Sequence, residues 1–125
     1  MARILVVEDS EFTRRMIVQI IKAKGHEVLE AGNGFEGMRM VQKEKPDCIF
    51  LDLLMPEMDG FGVLGALKEK SLSIPIIILS ADVQETSRNK CFEFGVVDFV
   101  KKPPKEDEIL KAVRKALNST VGTTV

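Results

Sequence analysis

Five short segments dominated by apolar residues recur along the chain, separated by longer segments of mixed polarity. They span Arg3–Val7, Glu27–Ala31, Asp47–Leu51, Ile76–Leu79 and Val96–Lys101. The first and third are almost continuously apolar, which is typical of strands buried on both faces of a parallel sheet, because a sheet with one face in water alternates apolar and polar residues. The second is less apolar and gives the weakest signal. The pattern predicts five strands.

Apolar residues at helical spacing fill the intervals between these strands. In the first interval they are Phe12, Met16, Ile17, Ile20 and Ile21. Ser10 can cap this helix, and Gly25 closes it. The other predicted helices span Phe35–Lys45, Phe61–Lys70, Val83–Gly95 and Lys105–Leu117. Asp82 and Glu85 have the spacing of a capping box, which supports the start of the fourth helix.

The alternation of strands and helices predicts the architecture. Parallel strands with helical crossovers form a sheet that is covered on both faces. Right-handed crossovers then favour the flavodoxin-like strand order 2-1-3-4-5. We therefore predict an α/β fold, a doubly wound five-stranded parallel sheet with five helices. Residues 1–117 would form this single domain, and the small and polar residues at 118–125 would form a flexible C-terminal tail.

The composition narrows the classes of partner. The chain has 125 residues, enough for one domain, and its 18 basic and 19 acidic residues give a formal net charge of −1. This balance argues against direct nucleic-acid binding, and no apolar run reaches the ~20 residues that span a bilayer. Glu8 and Asp9 stand where a signal peptide would stay apolar, and neither Cys48 nor Cys91 belongs to a Cys-x-x-Cys motif. We expect a cytoplasmic protein without membrane insertion.

Polar residues follow four of the predicted strands at the point where each strand ends. Glu8 and Asp9 follow the first strand, Asp52 the third, Ser80 the fourth and Lys102 the fifth. Because the carboxyl ends of parallel strands meet at one edge, where such folds bind ligands, we expect these side chains to lie close together. Three carboxylates in one cleft repel one another, and an all-oxygen set without His or Cys indicates a hard cation, Mg²⁺ or Mn²⁺.

The same set of side chains suits phosphoryl chemistry. Magnesium held by carboxylates keeps a coordination position for a phosphoryl oxygen, and Lys102 and Ser80 can hold the other oxygens. A carboxylate beside the metal can attack phosphorus and form an acyl phosphate. Taken singly, each residue has an ordinary alternative as a helix cap or a solvated loop group. The convergence of all five on one edge favours a site.

Four motifs lie in order along the chain. They are Val6–Ser10 (VVEDS), Leu51–Gly60 (LDLLMPEMDG), Ser80–Ala81 (SA) and Asp98–Pro103 (DFVKKP). In combination they make the chain similar to the response-regulator receiver domains of two-component signalling, most of all to the stand-alone, CheY-like chemotaxis regulators. The resemblance extends from about Arg3 to Leu117, nearly the whole chain.

The resemblance implies a role for each acidic residue. Asp52 would be the phosphoacceptor. Asp9 and Asp52 would ligate Mg²⁺ directly, together with the main-chain carbonyl of Leu54, and Glu8 would act mainly through a metal-bound water. The domain would catalyse only its own phosphorylation and dephosphorylation, so it would be a signalling switch rather than an enzyme.

The resemblance also assigns the residues that respond to the phosphoryl group. Lys102 would contact a phosphoryl oxygen, and its bond to Pro103 would be cis. Ser80 would be the switch hydroxyl, and Phe99 the aromatic side chain that turns inward as Ser80 moves. The output surface would comprise the fourth helix, the fifth strand and the fifth helix, roughly Asp82 to Leu117.

The resemblance also implies the partners of the domain. The phosphodonor would be a histidine kinase or a phosphotransferase, and the output a downstream effector such as a flagellar-motor component or a phosphorelay partner. The domain would be a monomer that can dimerise when phosphorylated. The alternative is a receiver domain cut from a larger regulator with a C-terminal effector domain. Leu54 stands where a metal-dependent phosphatase needs a second acid, and Glu8 and Asp9 would repel the phosphate of a flavin. Because Leu54 cannot orient water, we also expect slow self-dephosphorylation.

Overall fold

The five predicted strands form one parallel sheet. The computed structural model describes residues 2–53, 55, 58–81 and 91–118. The strands are β1 (Arg3–Val7), β2 (Glu27–Ala31), β3 (Cys48–Asp52), β4 (Ile76–Ser80) and β5 (Val96–Lys101). They lie in the order β2-β1-β3-β4-β5, and every neighbouring pair is parallel. This confirms the predicted flavodoxin-like order.

Two strands end one residue later than the sequence pattern predicts. Asp52 pairs in register with Leu79, and Ser80 pairs with Lys101, so both polar residues are the last residues of their strands. A polar strand end of this kind looks like the start of a loop in the sequence. The consequence is that the backbones of Asp52 and Ser80 are held by the sheet itself.

Four helices lie within the part of the chain that the structure describes. They are α1 (Glu11–Lys22), α2 (Gly34–Glu44), α3 (Gly60–Glu69) and α4 (Glu106–Asn118). The side chains of Ser10, Asn33 and Asp59 cap the first three by accepting a main-chain N–H from three residues ahead. The further helix predicted over Val83–Gly95 lies mostly outside the described residues. The tail predicted over residues 118–125 also lies outside them, except for Asn118, which is the last residue of α4.

The helices bury both faces of the sheet. On one face, strand side chains pack with α2 and α3, and they include Leu5, Val7, Ile49, Leu51, Ile76 and Ile78. On the other face the alternate residues pack with α1 and α4, and they include Ile4, Val6, Cys48, Phe50, Ile77 and Leu79. This period of two explains the continuous apolar runs, because each side of each central strand has a helix to pack against. None of the described helices is long and apolar enough to cross a membrane.

The first residue of α3 lies directly against the end of β3. A Cβ atom on Gly60 would come within 2.6 Å of the main-chain oxygen of Asp52 and of Cα of Leu53. The Gly60 amide also donates a hydrogen bond of 3.0 Å to the Leu53 carbonyl. Only glycine permits this approach, so the start of α3 fixes the backbone that presents Asp52.

Candidate functional site

Three carboxylates converge at the carboxyl edge of the two central strands. Glu8 directly follows β1, Asp52 ends β3, and Val7 and Leu51 pair in register between them. Each of Glu8, Asp9 and Asp52 offers an oxygen, and these oxygens all lie within 4.8 Å of one another. Glu8 and Asp52 are buried, at 0% and 2% exposure, whereas Asp9 is exposed. The structure thus brings together the three acids that the strand ends predict.

Lys102, which directly follows β5, reaches the same cluster. Its Nζ lies 2.7 Å from Oε1 of Glu8 and 3.0 Å from Oδ2 of Asp52. Its main-chain amide donates to the Ser80 carbonyl at 2.9 Å, which holds the segment after β5 against the end of β4. The peptide bond from Lys102 to Pro103 is cis. One ammonium therefore bridges two buried carboxylates.

Burial and the mutual proximity of the charges shift the pKa values in this cluster. Burial raises the pKa of Glu8 from 4.5 to about 7, and the negative charge of Asp52 adds to this, while the Lys102 ammonium and the Ser10 amide oppose it. Burial by itself would lower the pKa of Lys102, but Glu8 and Asp52 more than offset this, so its pKa is raised. Three carboxylates and one ammonium leave an excess of two negative charges when all are ionised.

The residues present fit a divalent cation. Oε1 of Glu8 is buried and accepts no well-directed hydrogen bond, even though Lys102 Nζ is close to it, while Oε2 accepts the Ser10 amide at 2.9 Å. The excess charge and the all-oxygen donor set suit a hard cation such as Mg²⁺ or Mn²⁺. Glu8, Asp9 and Asp52 are the side chains that would hold it.

Comparison with known proteins decides the family. The sequence profile of the response regulator receiver domain matches residues 4–114. The chain belongs to the response regulator receiver family. It is therefore a signalling domain of two-component systems, as its four motifs predict.

The proteins that this receiver domain is similar to include a transcriptional regulator and a chemotaxis protein. It is 38% identical over 122 residues to the transcriptional regulatory protein SrrA of Staphylococcus aureus, a match that covers 98% of this chain and 50% of SrrA. The chain thus spans about half the length of the curated relatives it matches. Its fold is similar to that of the Vibrio cholerae chemotaxis protein CheY4, with a TM-score of 0.88 at 29% identity, covering 94% of this chain and 99% of CheY4. It is also similar to the receiver domain of the Francisella response regulator 1452, with a TM-score of 0.86 at 25% identity, covering 96% and 100%.

The two residues predicted to act as the switch lie on different strands of the receiver domain. Ser80 is buried at the end of β4, where its carbonyl accepts the Lys102 amide. Phe99 lies in the middle of β5, half-buried against the core that faces α2 and α3. Its ring meets that of Phe92 edge to face, with a centroid distance of 5.3 Å. Leu54, the predicted main-chain ligand, lies outside the described residues.

One residue near the acids has no place in the sequence prediction. Nη1 of Arg14 donates a hydrogen bond of 2.8 Å to the main-chain carbonyl of Glu8, and Nε donates one of 3.0 Å to Oε1 of Glu30. The only sequence signal is that an arginine stands one helical turn after the N-cap Ser10, on a helix that begins just beyond the acidic pair. Such a contact depends on the course of a long side chain, which periodicity does not reveal.

Proposed function

We propose that this receiver domain accepts a phosphoryl group on Asp52 from the phosphohistidine of a histidine kinase or a phosphotransferase. The observation that carries the proposal is the position of Asp52. It ends the central strand β3, lies in reach of two further carboxylates, and accepts a hydrogen bond from Lys102. Glu8 and Asp9 then serve as its partners in holding Mg²⁺ or Mn²⁺, together with the main-chain carbonyl of Leu54.

The chemistry is an in-line displacement at phosphorus. A carboxylate oxygen of Asp52 attacks, the P–N bond to the donor imidazole breaks, and its electron pair leaves with the imidazole as an acyl phosphate forms. Such transition states are loose, so positioning and charge dominate catalysis. Lys102 already sits 3.0 Å from one oxygen of Asp52, and its ammonium is placed to follow the charge onto the phosphoryl oxygens. A bound Mg²⁺ supplies additional positive charge to those oxygens.

Phosphorylation with a small donor tests the assignment. The protein is incubated with acetyl phosphate and Mg²⁺, and intact mass spectrometry follows the mass of one added phosphoryl group. We expect the wild type and Asp107→Asn to be labelled and Asp52→Asn to remain unlabelled. Asp107 is a matched control because it is an exposed acid in the first turn of α4 and does not belong to the group formed by Glu8, Asp9 and Asp52. Equal labelling of Asp52→Asn would refute the assignment.

We further propose that Ser80 and Phe99 change position in response to the phosphoryl group, which adds a charge of roughly −1.5 to −2. The Ser80 carbonyl accepts the Lys102 amide, so Ser80 lies beside the segment that carries Lys102. From this position the Ser80 hydroxyl would move toward a phosphoryl oxygen. Phe99 lies on the neighbouring strand, in register with Ile78. Their output surface would be the region 82–117, read by an effector protein in the cytoplasm. Size-exclusion chromatography with and without beryllofluoride and Mg²⁺ tests whether the monomer then dimerises.

The identity of the effector has two candidates. A flagellar-motor or phosphorelay partner fits the likeness to CheY4, which the chain covers almost completely. Control of transcription by a C-terminal effector domain fits the likeness to SrrA, of which the chain spans half. The complete reading frame separates them. A following DNA-binding domain would support the second candidate, and its absence would support the first.

A further inference from the structure

We propose that Arg14 is a positioning residue of the acidic cluster, which fixes the peptide between Glu8 and Asp9 and thereby sets the affinity for a divalent cation. The inference rests on the proposed function, since it takes the three acids as the cation site. Its evidence is separate, because it comes from the backbone of Glu8 and not from the carboxylates.

The backbone of Glu8 lies just beyond the end of the sheet pairing. β1 pairs with β2 and β3 in register as far as Val7. The Glu8 amide still finds a strand partner, the Ala31 carbonyl at 3.0 Å. Its carbonyl is instead bonded by a side chain, because Nη1 of Arg14 donates to it at 2.8 Å. A buried carbonyl needs such a donor, so Arg14 supplies what the sheet supplies elsewhere.

Arg14 is itself held firmly. Its side chain is only 15% exposed, and Nε donates to Oε1 of Glu30 at 3.0 Å. Glu30 belongs to β2, the strand next to β1, so the guanidinium ties α1, β2 and the end of β1 together. The planar guanidinium offers donors in fixed directions, which allows it to orient both acceptors at once.

The peptide plane connects this contact to Asp9. The Glu8 carbonyl and the Asp9 amide and Cα lie in one plane, so a fixed carbonyl fixes the direction in which Asp9 leaves the strand. Asp9 is the exposed acid of the three, and it follows Glu8, whose backbone already lies beyond the last residue paired on both sides, Val7. The distance of its carboxylate from Glu8 and Asp52 therefore depends on that peptide.

The direction in which the Mg²⁺ affinity changes when Arg14 is removed distinguishes a positioning role from a purely electrostatic one. Arg14 is a cation, and removal of a cation near a cation site favours binding through Coulomb's law. A positioning role predicts the reverse, a loss of affinity when Arg14 is removed. The neighbouring Arg15 provides a matched control, because its Nε also contacts Oε1 of Glu30, at 3.3 Å, but its side chain is 62% exposed.

Magnesium titration by isothermal calorimetry tests the proposal on wild type, Arg14→Gln, Arg14→Lys and Arg15→Gln. We expect Arg14→Gln to bind Mg²⁺ about 10-fold more weakly, as for other residues that orient metal ligands. Arg14→Lys can reach one acceptor at a time and should recover part of the affinity. Arg15→Gln should bind as the wild type does or slightly more tightly.

Amide exchange of the metal-free protein provides the second readout. The Glu8 amide should exchange faster in Arg14→Gln than in Arg15→Gln, relative to the other amides of β1. If the wild type binds Mg²⁺ and Arg14→Gln binds it equally well, the positioning role is wrong and the proposed function stands. If the wild type binds no Mg²⁺, the proposed function fails and this inference fails with it. Should Arg14→Gln not fold, wild-type affinity in Arg14→Lys would equally overturn the inference.

Discussion

Removal of the charge of Glu8 should stabilise the metal-free protein above neutral pH. Glu8 is fully buried, and burial raises its pKa from 4.5 to about 7. The folded protein therefore holds this proton more tightly than the unfolded chain does. Stability follows the difference in bound protons, so it is greatest below pH 4.5 and is lost as the pH rises through 7. Glu8→Gln keeps the size of the side chain and removes this loss.

The magnitude follows from the two pKa values of Glu8. With 4.5 in the unfolded chain and about 7 in the folded protein, linkage predicts that wild-type stability falls by about 2–3 kcal/mol between pH 5 and pH 8 from this group. The Glu8→Gln variant should show no such component. The substitution also changes the contact with Lys102, so the slope of stability with pH is the decisive quantity and not the absolute stability.

Urea denaturation followed by far-ultraviolet circular dichroism measures this slope. The chain has no Trp and no Tyr, so intrinsic fluorescence is a poor probe. Wild type, Glu8→Gln and Glu69→Gln are compared at pH 5, 6, 7 and 8 with a chelator present. Glu69 is an exposed acid at the end of α3, so its variant should follow the wild type. Parallel profiles for wild type and Glu8→Gln would refute the reasoning.

Three further predictions concern other parts of the site. Gly60→Ala should lower the free energy of unfolding by about 1–3 kcal/mol, because its Cβ meets the Asp52 backbone at 2.6 Å, whereas Gly65→Ala in open space should raise it by up to about 1 kcal/mol. Urea denaturation compares them, and equal effects would contradict the close approach. Lys102→Met should raise Mg²⁺ affinity, since the ammonium competes for two carboxylates, yet slow the phosphorylation of Asp52. Calorimetry and mass spectrometry check these opposite signs, and changes in the same direction would argue against the dual contact. Leu54→Asn should speed the loss of the acyl phosphate, because Asn can orient the attacking water and Leu cannot. An unchanged decay rate would contradict this role of Leu54.

Much of the fold and of the acidic cluster can be predicted from the sequence because both depend on local pattern. Continuous apolar runs indicate buried parallel strands, and a parallel sheet brings its carboxyl ends together. Glu8, Asp52 and Lys102 each follow or end such a run, so their proximity is a consequence of topology. No knowledge of side-chain packing is needed for this step.

The errors at element boundaries have a local cause. The sequence pattern assigns Gly34 and Gly60 to turns, so the predicted helices begin at Phe35 and Phe61. In the structure each is the first helical residue, since Asn33 and Asp59 act as N-caps directly before them. A capping side chain shifts the start of a helix by one residue without changing the apolar pattern on which the prediction rests.

The contact of Arg14 with Glu8 lies beyond such prediction. It requires the carbonyl of one segment, the side chain of a second and an acceptor, Glu30, on a third. Although the three segments follow one another along the chain, they meet in this way only after β1 and β2 have paired. The missed residue therefore belongs to the part of the site that tertiary structure creates.

The cost of burying Glu8 leads to a last prediction, on the response to magnesium. A ligand that binds only the folded state stabilises it by RT ln(1 + [L]/Kd), about 1.4 kcal/mol at ten times Kd. At pH 8 the wild type should gain this stability from Mg²⁺, because the cation relieves the repulsion among the three carboxylates. Glu8→Gln has lost one of them and should gain less, although it is the more stable protein without metal. Urea denaturation at matched ionic strength, with NaCl in place of MgCl₂, separates binding from screening. Equal stabilisation of both proteins by Mg²⁺ would mean that Glu8 takes no part in holding the cation and that its burial has a purely structural cause.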